Sequence, residues 1–246
     1  MSRCLVTGST RGIGGAVAES LAAHRHDLVL SARSTEELEG QAAALADRFG
    51  IKAVAVPADL ADPSDVERLA SEALAAFGGL DVLVNNAGVS FPEPVVELQA
   101  QHWQATIAVN LTAACLLAAR IGASMADAGG GRIVNVASAA GRTALRDHYA
   151  YSVSKAGLLM ATRVLALELG PRGVRANALC PTVVMTEMGQ RVWGDAAKAK
   201  PLLDRIPAGR FAQPEDVTAA LLFLLSPGAD MLNGVELSID GGYAIA

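Results

Sequence analysis

A tyrosine and a lysine lie four residues apart in a segment whose pattern predicts a helix, and Ser138 lies at a strand end thirteen residues before the tyrosine. Residues i and i+4 share a helix face, so the side chains of Tyr151 and Lys155 are expected to be neighbours. A nearby cation lowers the pKa of a phenol towards the pH at which general acid–base catalysis works best. With Ser138 holding a substrate oxygen, the pair predicts a proton-transfer site. Taken alone, the Tyr-x-x-x-Lys spacing more often marks a solvated helix face.

A glycine-rich turn near the N-terminus gives an independent signal. The apolar run 3–7 predicts a strand and the segment after the turn predicts a helix, with Gly8, Gly12 and Gly14 between them. Glycines at such a turn let backbone N–H groups approach a pyrophosphate at the helix N-terminus. The spacing is Gly-x-x-x-Gly-x-Gly rather than the G-x-G-x-x-G of other dinucleotide folds. We therefore predict a dinucleotide site here.

Strand and helix patterns alternate along the whole chain. Strands are predicted at 3–7, 27–32, 51–57, 81–85, 131–137, 173–179 and 235–239, and helices near 12–25, 34–49, 63–77, 100–126, 149–170 and 214–225. Nearly continuous apolar strands are typical of a parallel sheet covered on both faces, and repeated β-α units form a doubly wound sheet. We predict a single-domain α/β fold over 1–246, with a Rossmann-type parallel sheet of about seven strands and helices on both faces.

Composition excludes several function classes. The net charge is -5 and the pI about 5.4, without a basic cluster, so neither a nucleic-acid partner nor an anionic membrane surface is expected. Three scattered cysteines in apolar surroundings predict buried thiols rather than a disulfide framework or a metal site. We expect no targeting segment before the first strand and no apolar run of membrane-spanning length. A soluble cytoplasmic protein is therefore expected.

The candidate residues fall at the carboxyl ends of the predicted strands. In an open α/β sheet, ligands bind beyond these ends. The glycines follow the first strand, Arg33 the second, Asp59 the third, Asn86 to Gly88 the fourth, Ser138 the fifth and Pro181 the sixth. Six separate chain segments thus converge on one edge, which predicts that they form one site.

With Asn85-Asn86-Ala87-Gly88 and Asn110 also in order, the chain closely resembles the short-chain dehydrogenase/reductase family over nearly its whole length. The resemblance implies that Tyr151 is the general acid in ketone reduction and the base in alcohol oxidation. Lys155 would lower the pKa of Tyr151 and hold the nicotinamide ribose, and Ser138 would bind the substrate oxygen. Asn110 would keep a helix open around a water that relays protons, although a helical Asn is more often a polar surface residue.

The resemblance also implies a nicotinamide cofactor. Besides Tyr151 and Lys155, the predicted cofactor residues are Gly8, Thr10, Arg11, Gly12, Ile13, Gly14, Arg33, Ser34, Asp59, Leu60, Asn86, Ala87, Gly88, Pro181, Val184 and Thr186. An NAD site carries a carboxylate at the tip of the second strand, whereas this tip carries Arg33, which suits a 2′-phosphate. We predict NADP(H) rather than NAD(H). Three of these residues have an alternative interpretation without a cofactor: Asp59 as a cap, Asn86 as a residue with a structural role, and Arg33 as a solvated residue at a strand end.

The segment from Pro181 to Gly189, with Trp193, resembles the family branch that contains L-xylulose (dicarbonyl) reductases and tetrameric carbonyl reductases. It implies a substrate lid at 186–206, where the residues alone predict a surface helix pair. The predicted substrate residues are Ser138, His148, Met188 and Trp193. Thr182 replaces the family's usual glycine after proline, so a different loop path is expected. Ala139 lacks the amide that such reductases can carry, which leaves the substrate open.

These signals predict an NADP(H)-dependent carbonyl reductase or polyol dehydrogenase acting on a small ketose, diketone or secondary alcohol. The alternatives are a 3-oxoacyl carrier-protein reductase of the same fold and a catalytically silent nucleotide-binding regulator. The resemblance implies a homotetramer. The helix 149–170 also has more apolar positions than one buried stripe needs, which favours an interface there. These positions are Leu158, Leu159, Thr162, Leu165, Ala166 and Leu169.

Overall fold

A computed structural model of the protein describes residues 1–187 and 189–246, together with the place of Met188 in a helix. The predicted role of the Met188 side chain therefore lies outside the described residues. Within the described chain, one parallel sheet has the strand order β3-β2-β1-β4-β5-β6-β7. The strands are β1 (Arg3–Thr7), β2 (Asp27–Ser31), β3 (Ala53–Ala55), β4 (Val82–Asn85), β5 (Gly131–Val136), β6 (Val174–Pro181) and β7 (Glu236–Ile239).

Helices cover both faces of the sheet, as predicted. The helices are α1 (Gly12–Ala23), α2 (Thr35–Phe49), α3 (Pro63–Phe77), α4 (Ala100–Ile107), α5 (Ala114–Asp127), α6 (Tyr149–Leu169), α7 (Glu187–Trp193), α8 (Ala196–Leu203) and α9 (Pro214–Leu225). One apolar core joins α1, α2 and α9 to the sheet, and a second joins α3 and α5 to its other face. The predicted doubly wound α/β fold is thereby confirmed.

The strand order reverses beside β1, which pairs with β2 on one side and β4 on the other. Thr7 at the end of β1 pairs with Ser31 at the end of β2, and Asn85 at the end of β4 pairs with Asn135 of β5. The carboxyl ends of β1, β2, β4 and β5 therefore reach the same edge. A crevice at such a reversal is where open α/β sheets bind ligands.

Two strands differ from the prediction by more than one residue at an end. β3 is Ala53–Ala55 instead of 51–57, although backbone hydrogen bonds to β2 continue past its end, with Val56 N donating to Leu30 O at 2.9 Å. β6 instead runs on to Pro181, because Cys180 and Pro181 pair with β7. The two short helices α7 and α8 occupy the segment predicted as a helix pair.

The predicted helix 100–126 is interrupted by a wide π-helical segment, Ala108–Ala113, between α4 and α5. Contrary to expectation, the run Ala100–Asp127 is long and apolar enough to cross a membrane by length and composition. Its residues Leu117, Ile121 and Met125 are fully buried in the core between α3 and the sheet. Core helices satisfy the same criterion, so this run is weak evidence for a membrane span.

The cysteines and the apolar positions of α6 also depart in part from expectation. Cys4 and Cys180 are buried thiols, whereas Cys115 is partly exposed. Of the apolar positions predicted to be in excess on α6, Leu158, Leu159, Thr162 and Ala166 are buried within this chain. The apolar stripe of a helix that faces the sheet is buried in the core of its own chain, and these four positions belong to that stripe.

Candidate active site

The turn between β1 and α1 places three glycines for steric reasons. Gly8 and Gly12 have φ of 64° and 60°, in the left-handed region that favours glycine. Gly14 has no room for a side chain: a Cβ there would lie 2.1 Å from the Gly8 carbonyl oxygen and 2.4 Å from Nδ2 of Asn86. A Cβ on Gly12 would lie 3.7 Å from the Thr186 methyl carbon. The turn can therefore bring backbone N–H groups close to a phosphate.

Polar side chains outside the turn hold it in shape. Asn86 Nδ2 donates to the carbonyl oxygens of Thr7, at 2.9 Å, and Gly8, at 3.2 Å. The Thr7 hydroxyl accepts from the N–H groups of Asn86 and Ala87, and Gln41 Nε2 donates to the Ser9 carbonyl at 2.6 Å. These bonds give the Asn86 side chain a structural role, which was the alternative to a cofactor contact. The sequence reasoning missed Thr7 and Gln41; a hydroxyl ending an apolar strand was the available signal for Thr7.

The tips of β2 and β3 carry the residues predicted for the adenosine end. Arg33 is exposed just beyond β2, while the Ser34 hydroxyl accepts from Glu37 N and caps α2. Ser31 Oγ is buried without a hydrogen-bond partner among the described residues. Asp59 Oδ1 accepts from Ala61 N at 3.0 Å in a local turn, and Asp62 rather than Asp59 caps α3.

Asn110 lies in the wide π-helical segment and ties the loop after β4 to the helices. Its Oδ1 accepts from Val89 N at 2.7 Å, and its Nδ2 donates to Val89 O at 2.9 Å and Ser154 Oγ at 3.2 Å. A Cβ on Gly88 would lie 3.4 Å from Asn110 Oδ1 and 3.7 Å from Lys155 Nζ. The helix is therefore open at Asn110, and Gly88 lets this loop approach the lysine.

Ser138, Tyr151 and Lys155 meet at the carboxyl end of β5. Ser138 Oγ accepts from Ala140 N at 3.1 Å, and the Ser138 side chain lies beside the Tyr151 hydroxyl, close enough to act on its pKa. Lys155 Nζ donates to the Val136 carbonyl at 2.8 Å and lies 5.7 Å from the centre of the Tyr151 ring. The predicted trio is therefore assembled in one place.

The electrostatics of the trio differ from the sequence prediction. Burial raises the pKa of Tyr151, and the Ser138 side chain beside it acts in the opposite direction. Burial also lowers the pKa of Lys155 to about 8. Lys155 is only 4% exposed, and it does not lower the Tyr151 pKa here. Desolvation disfavours both charged forms and outweighs the predicted attraction between them.

The lid segment reaches the same edge from β6. Val184 pairs with Ala212, and the Thr186 hydroxyl caps α7 by accepting from Gly189 N. Trp193 packs on Phe211 in the apolar cluster that contains Ala139, next to Ser138. Among the described non-glycine residues, Arg25 and Asp147 have positive φ, so Thr182 avoids the strained conformation of the family's glycine.

His148 precedes α6 and lies beside Tyr151. Its ring centre is 6.2 Å from that of Tyr151, in an edge-on arrangement, and its Nδ1 is 2.7 Å from the carbonyl oxygen of Arg146. The backbone of Glu93 pairs with Asp147 and His148. His148 is therefore a neighbour of the Tyr151 ring at the start of α6.

We expect Lys155→Met to unfold at a higher temperature than the wild type at pH 7 when both are purified without nucleotide. A lysine pKa lowered from 10.5 to about 8 is a penalty on the folded state of about 3 kcal/mol. The full penalty applies below pH 8 and disappears as the pH rises from about 8 to 10.5. Melting curves from pH 7 to 10 check this. A variant that melts below the wild type at pH 7, or a gap that grows with pH, would contradict it.

The residues at this edge fit a nicotinamide dinucleotide. A Cβ on Gly12 or Gly88 would lie no closer than 3.4 Å to the atoms around it, so a ligand can take that place. The Ser31 hydroxyl is a buried polar atom without a partner among the described residues. Arg33 and Arg11 are exposed cations at the ends of β2 and the glycine turn. These groups can hold phosphates and ribose hydroxyls, while Tyr151 and Lys155 can hold and move protons at a substrate oxygen.

Comparisons with known proteins agree with this geometry. Residues 8–244 match the family model described as Enoyl-(Acyl carrier protein) reductase. A D-threitol dehydrogenase of Mycolicibacterium smegmatis is 44% identical, with 98% of this chain and 92% of the relative covered. An L-xylulose reductase of Mesocricetus auratus is 40% identical, covering 99% and 96%. An NAD-dependent glycerol dehydrogenase of Listeria innocua is 37% identical, covering 98% and 93%.

The fold has close counterparts among solved structures. The crystal structure of a gluconate 5-dehydrogenase from Burkholderia cenocepacia J2315, in complex with NADP and tartrate, superposes with a TM-score of 0.94. It is 32% identical in sequence, and the match covers 99% of this chain and 95% of that one. From the matched family model, the relatives and the shared sheet, the chain belongs to the short-chain dehydrogenase/reductase family and is an oxidoreductase acting on CH–OH and C=O groups.

Proposed function

We propose that the protein is an NADP(H)-dependent carbonyl reductase and polyol dehydrogenase, with Tyr151 as its general acid and base. The observation that carries the proposal is that the Ser138 and Tyr151 side chains meet beside a buried lysine, at the edge where the glycine turn ends. Asn110, Ser138, Tyr151 and Lys155 are all present, which argues against a catalytically silent regulator.

The chain's own groups divide the work as follows. Ser138 donates to the substrate oxygen and holds it against the Tyr151 hydroxyl. Tyr151 gives its phenolic proton to that oxygen in reduction and takes the hydroxyl proton in oxidation. The nicotinamide, when bound, supplies or accepts the hydride. Lys155, whose Nζ lies 5.7 Å from the centre of the Tyr151 ring, can hold the ribose hydroxyls. Asn110 keeps the helix open, which leaves room for a water beside Lys155.

The proposed substrate is a small ketose, a vicinal diketone or the matching secondary alcohol. Relatives named for threitol and xylulose support this, as do His148 and Trp193 beside the trio. A panel of xylulose, erythrulose, diacetyl and acetoacetyl thioester, run with NADPH and NADH, tests it. Turnover of the thioester alone would favour a 3-oxoacyl carrier-protein reductase. An unchanged KM for every active sugar in His148→Ala would remove His148 from the substrate site.

We expect kcat/KM to be at least about tenfold higher with NADPH than with NADH, since one charge-assisted contact contributes about 1.5–3 kcal/mol. The strand tip carries exposed Arg33 and lacks the carboxylate of an NAD site. Solved neighbours with NADP agree, whereas the NAD-dependent glycerol dehydrogenase shows that relatives differ.

The double variant Ala32→Asp with Arg33→Ile is expected to reverse this cofactor preference. Arg48→Ile is the control, because Arg48 is an exposed arginine of α2 paired with Glu19. Steady-state kinetics with each cofactor provide the measurement. Equal wild-type kcat/KM values, or a higher value for NADH, would contradict the assignment of Arg33.

We further propose that the protein is a homotetramer. The exposed face of α6 carries Met160, Val164 and Leu167, which are 54%, 44% and 76% exposed, so this face differs from the positions named from sequence. Contiguous apolar exposure of this kind marks an interface. Phe223 on α9 and Ile245 after β7 are also exposed, at 49% and 91%. A monomer by light scattering at micromolar concentration would refute this proposal.

We also propose that the chain is a single domain and a soluble cytoplasmic enzyme. Both apolar cores share the one sheet, which favours one cooperative unit. One thermal unfolding transition and recovery of activity in the soluble cell fraction are expected. Two separated transitions, or activity found in the membrane fraction, would contradict it.

A further inference from the structure

The Ser138 hydroxyl is positioned by the short turn that follows it. Ala140 N donates to Ser138 Oγ at 3.1 Å, and Gly141 N donates to the Ser138 carbonyl at 3.0 Å. Arg142 N closes the turn by donating to Ala139 O at 3.0 Å. Any movement of residues 139–142 therefore moves the Ser138 oxygen relative to Tyr151.

This turn lies directly on the backbone of α6. A Cβ on Gly141 would be 2.9 Å from the carbonyl carbon of Lys155, 3.0 Å from its oxygen and 3.1 Å from Ala156 N. The missing side chain thus lets the Ser138 turn touch α6 at the lysine. Gly141 was not identified from the sequence, because its neighbour across this contact lies fourteen residues later in the chain.

Side chains from β7 fix the far end of the turn. Arg142 Nη1 donates to Ser238 Oγ at 2.6 Å, and Arg142 Nε lies 3.5 Å from Glu236 Oε2. The other carboxylate oxygen of Glu236 lies 2.6 Å from Nη2 of Arg163, which belongs to α6. The Glu236 side chain is only 12% exposed, whereas the Arg142 and Arg163 side chains are 41% and 55% exposed, so a largely buried carboxylate joins two arginines that reach solvent.

We propose that Glu236 and Arg142 are positioning residues that hold the Ser138 hydroxyl against Tyr151. Glu236 joins the Ser138 turn, through Arg142, to the helix that carries Tyr151 and Lys155, through Arg163. Neither residue touches substrate; both act through Ser138. The inference rests on the proposed function, in which Ser138 holds the substrate oxygen.

The experiment compares kcat of Arg142→Met and Glu236→Gln with wild type and repeats Arg142→Met in a Ser138→Ala background. Each single variant is expected to lose about tenfold in kcat, because small misplacements of reacting groups are costly, with an unchanged Kd for NADPH. In the Ser138→Ala background, Arg142→Met is expected to change kcat by less than about twofold, since the two residues act together. Arg142→Lys, which keeps the charge, is expected to retain more activity than Arg142→Met.

Arg68→Met is the matched control, because Arg68 pairs with Asp65 and Glu72 on the surface of α3. Its kcat is expected to equal that of the wild type. Wild-type kcat in both Arg142→Met and Glu236→Gln would overturn the inference. So would the same tenfold loss in the Ser138→Ala background, which would indicate a general structural effect.

Two further readouts separate folding and the proposed function from this inference. If Arg142→Met melts far below the wild type, Glu236→Gln, which keeps the side-chain size, carries the same comparison with Ser138→Ala. Tyr151→Phe is measured in parallel. An active Tyr151→Phe would defeat the proposed function itself, whereas an inactive Tyr151→Phe beside fully active Arg142→Met and Glu236→Gln would defeat only the positioning role.

Discussion

Replacing Tyr151 by phenylalanine is expected to lower kcat by about 10²–10⁴-fold, the usual contribution of a general acid–base step. The phenyl ring keeps its neighbours, the His148 ring and the Lys155 Nζ, so the site is expected to keep its shape. The substitution removes the hydroxyl that lies beside Ser138 and carries the transferable proton. Stopped assays measure kcat, and fluorescence titration checks that the Kd for NADPH is unchanged.

Tyr149→Phe provides the matched control for this prediction. Tyr149 lies two residues away on the same helix, but its ring is 49% exposed and lies 5.7 Å from that of Trp103. Its loss of a hydroxyl is expected to leave kcat unchanged. The assignment of Tyr151 fails if Tyr151→Phe keeps more than a tenth of the wild-type kcat.

Gly14→Ala is expected to lower the free energy of unfolding by about 3 kcal/mol or more, at the upper end of what overpacking causes. The added Cβ would lie 2.1 Å from the Gly8 carbonyl oxygen, so backbone rather than a flexible side chain must move. The displaced turn would also lose contacts to a pyrophosphate, each of which contributes about 1.5–3 kcal/mol. Cofactor affinity is therefore expected to fall by at least about tenfold.

The neighbouring glycine supplies the control. A Cβ on Gly15 would lie 3.4 Å from the Ser9 carbonyl oxygen, which is ordinary contact, and alanine is the better helix former. Gly15→Ala is expected to melt at or above the wild-type temperature and to bind NADPH normally. If thermal melting and fluorescence titration cannot distinguish Gly14→Ala from Gly15→Ala, the steric account of the turn is wrong.

Local sequence patterns predicted most of the fold. Continuous apolar runs predicted the strands, because a sheet covered on both faces needs apolar strands. Helix periodicity predicted the helices, and both patterns can be recognised within one short segment of sequence. β3 was predicted too long because the extent of its pairing with β2 is a property of the folded sheet, which no local pattern reveals. The break between α4 and α5 was missed as a boundary, since both sides are good helix formers.

The sequence predicted those parts of the site in which the residue type alone indicates the chemistry. It predicted less well the properties that depend on burial or on contacts between distant segments. Ser138, Tyr151 and Lys155 do meet, but burial sets the direction of the Tyr151 pKa shift, and burial is a property of the folded chain. Gly141 and Glu236 were not recognised as neighbours of the trio, because their partners lie far along the sequence.

The wide π-helical segment 108–113 has a consequence for the register of the whole helical run. It accommodates one more residue per turn than an α-helix, and one residue corresponds to a rotation of about 100°. Closing it into regular helix would rotate α5 about its axis relative to α4. Leu117, Ile121 and Met125, all fully buried, would then turn away from the core. The apolar face of α5 from Leu117 to Met125, about two helical turns long, therefore maintains the opening together with the hydrogen bonds of Asn110 to Val89.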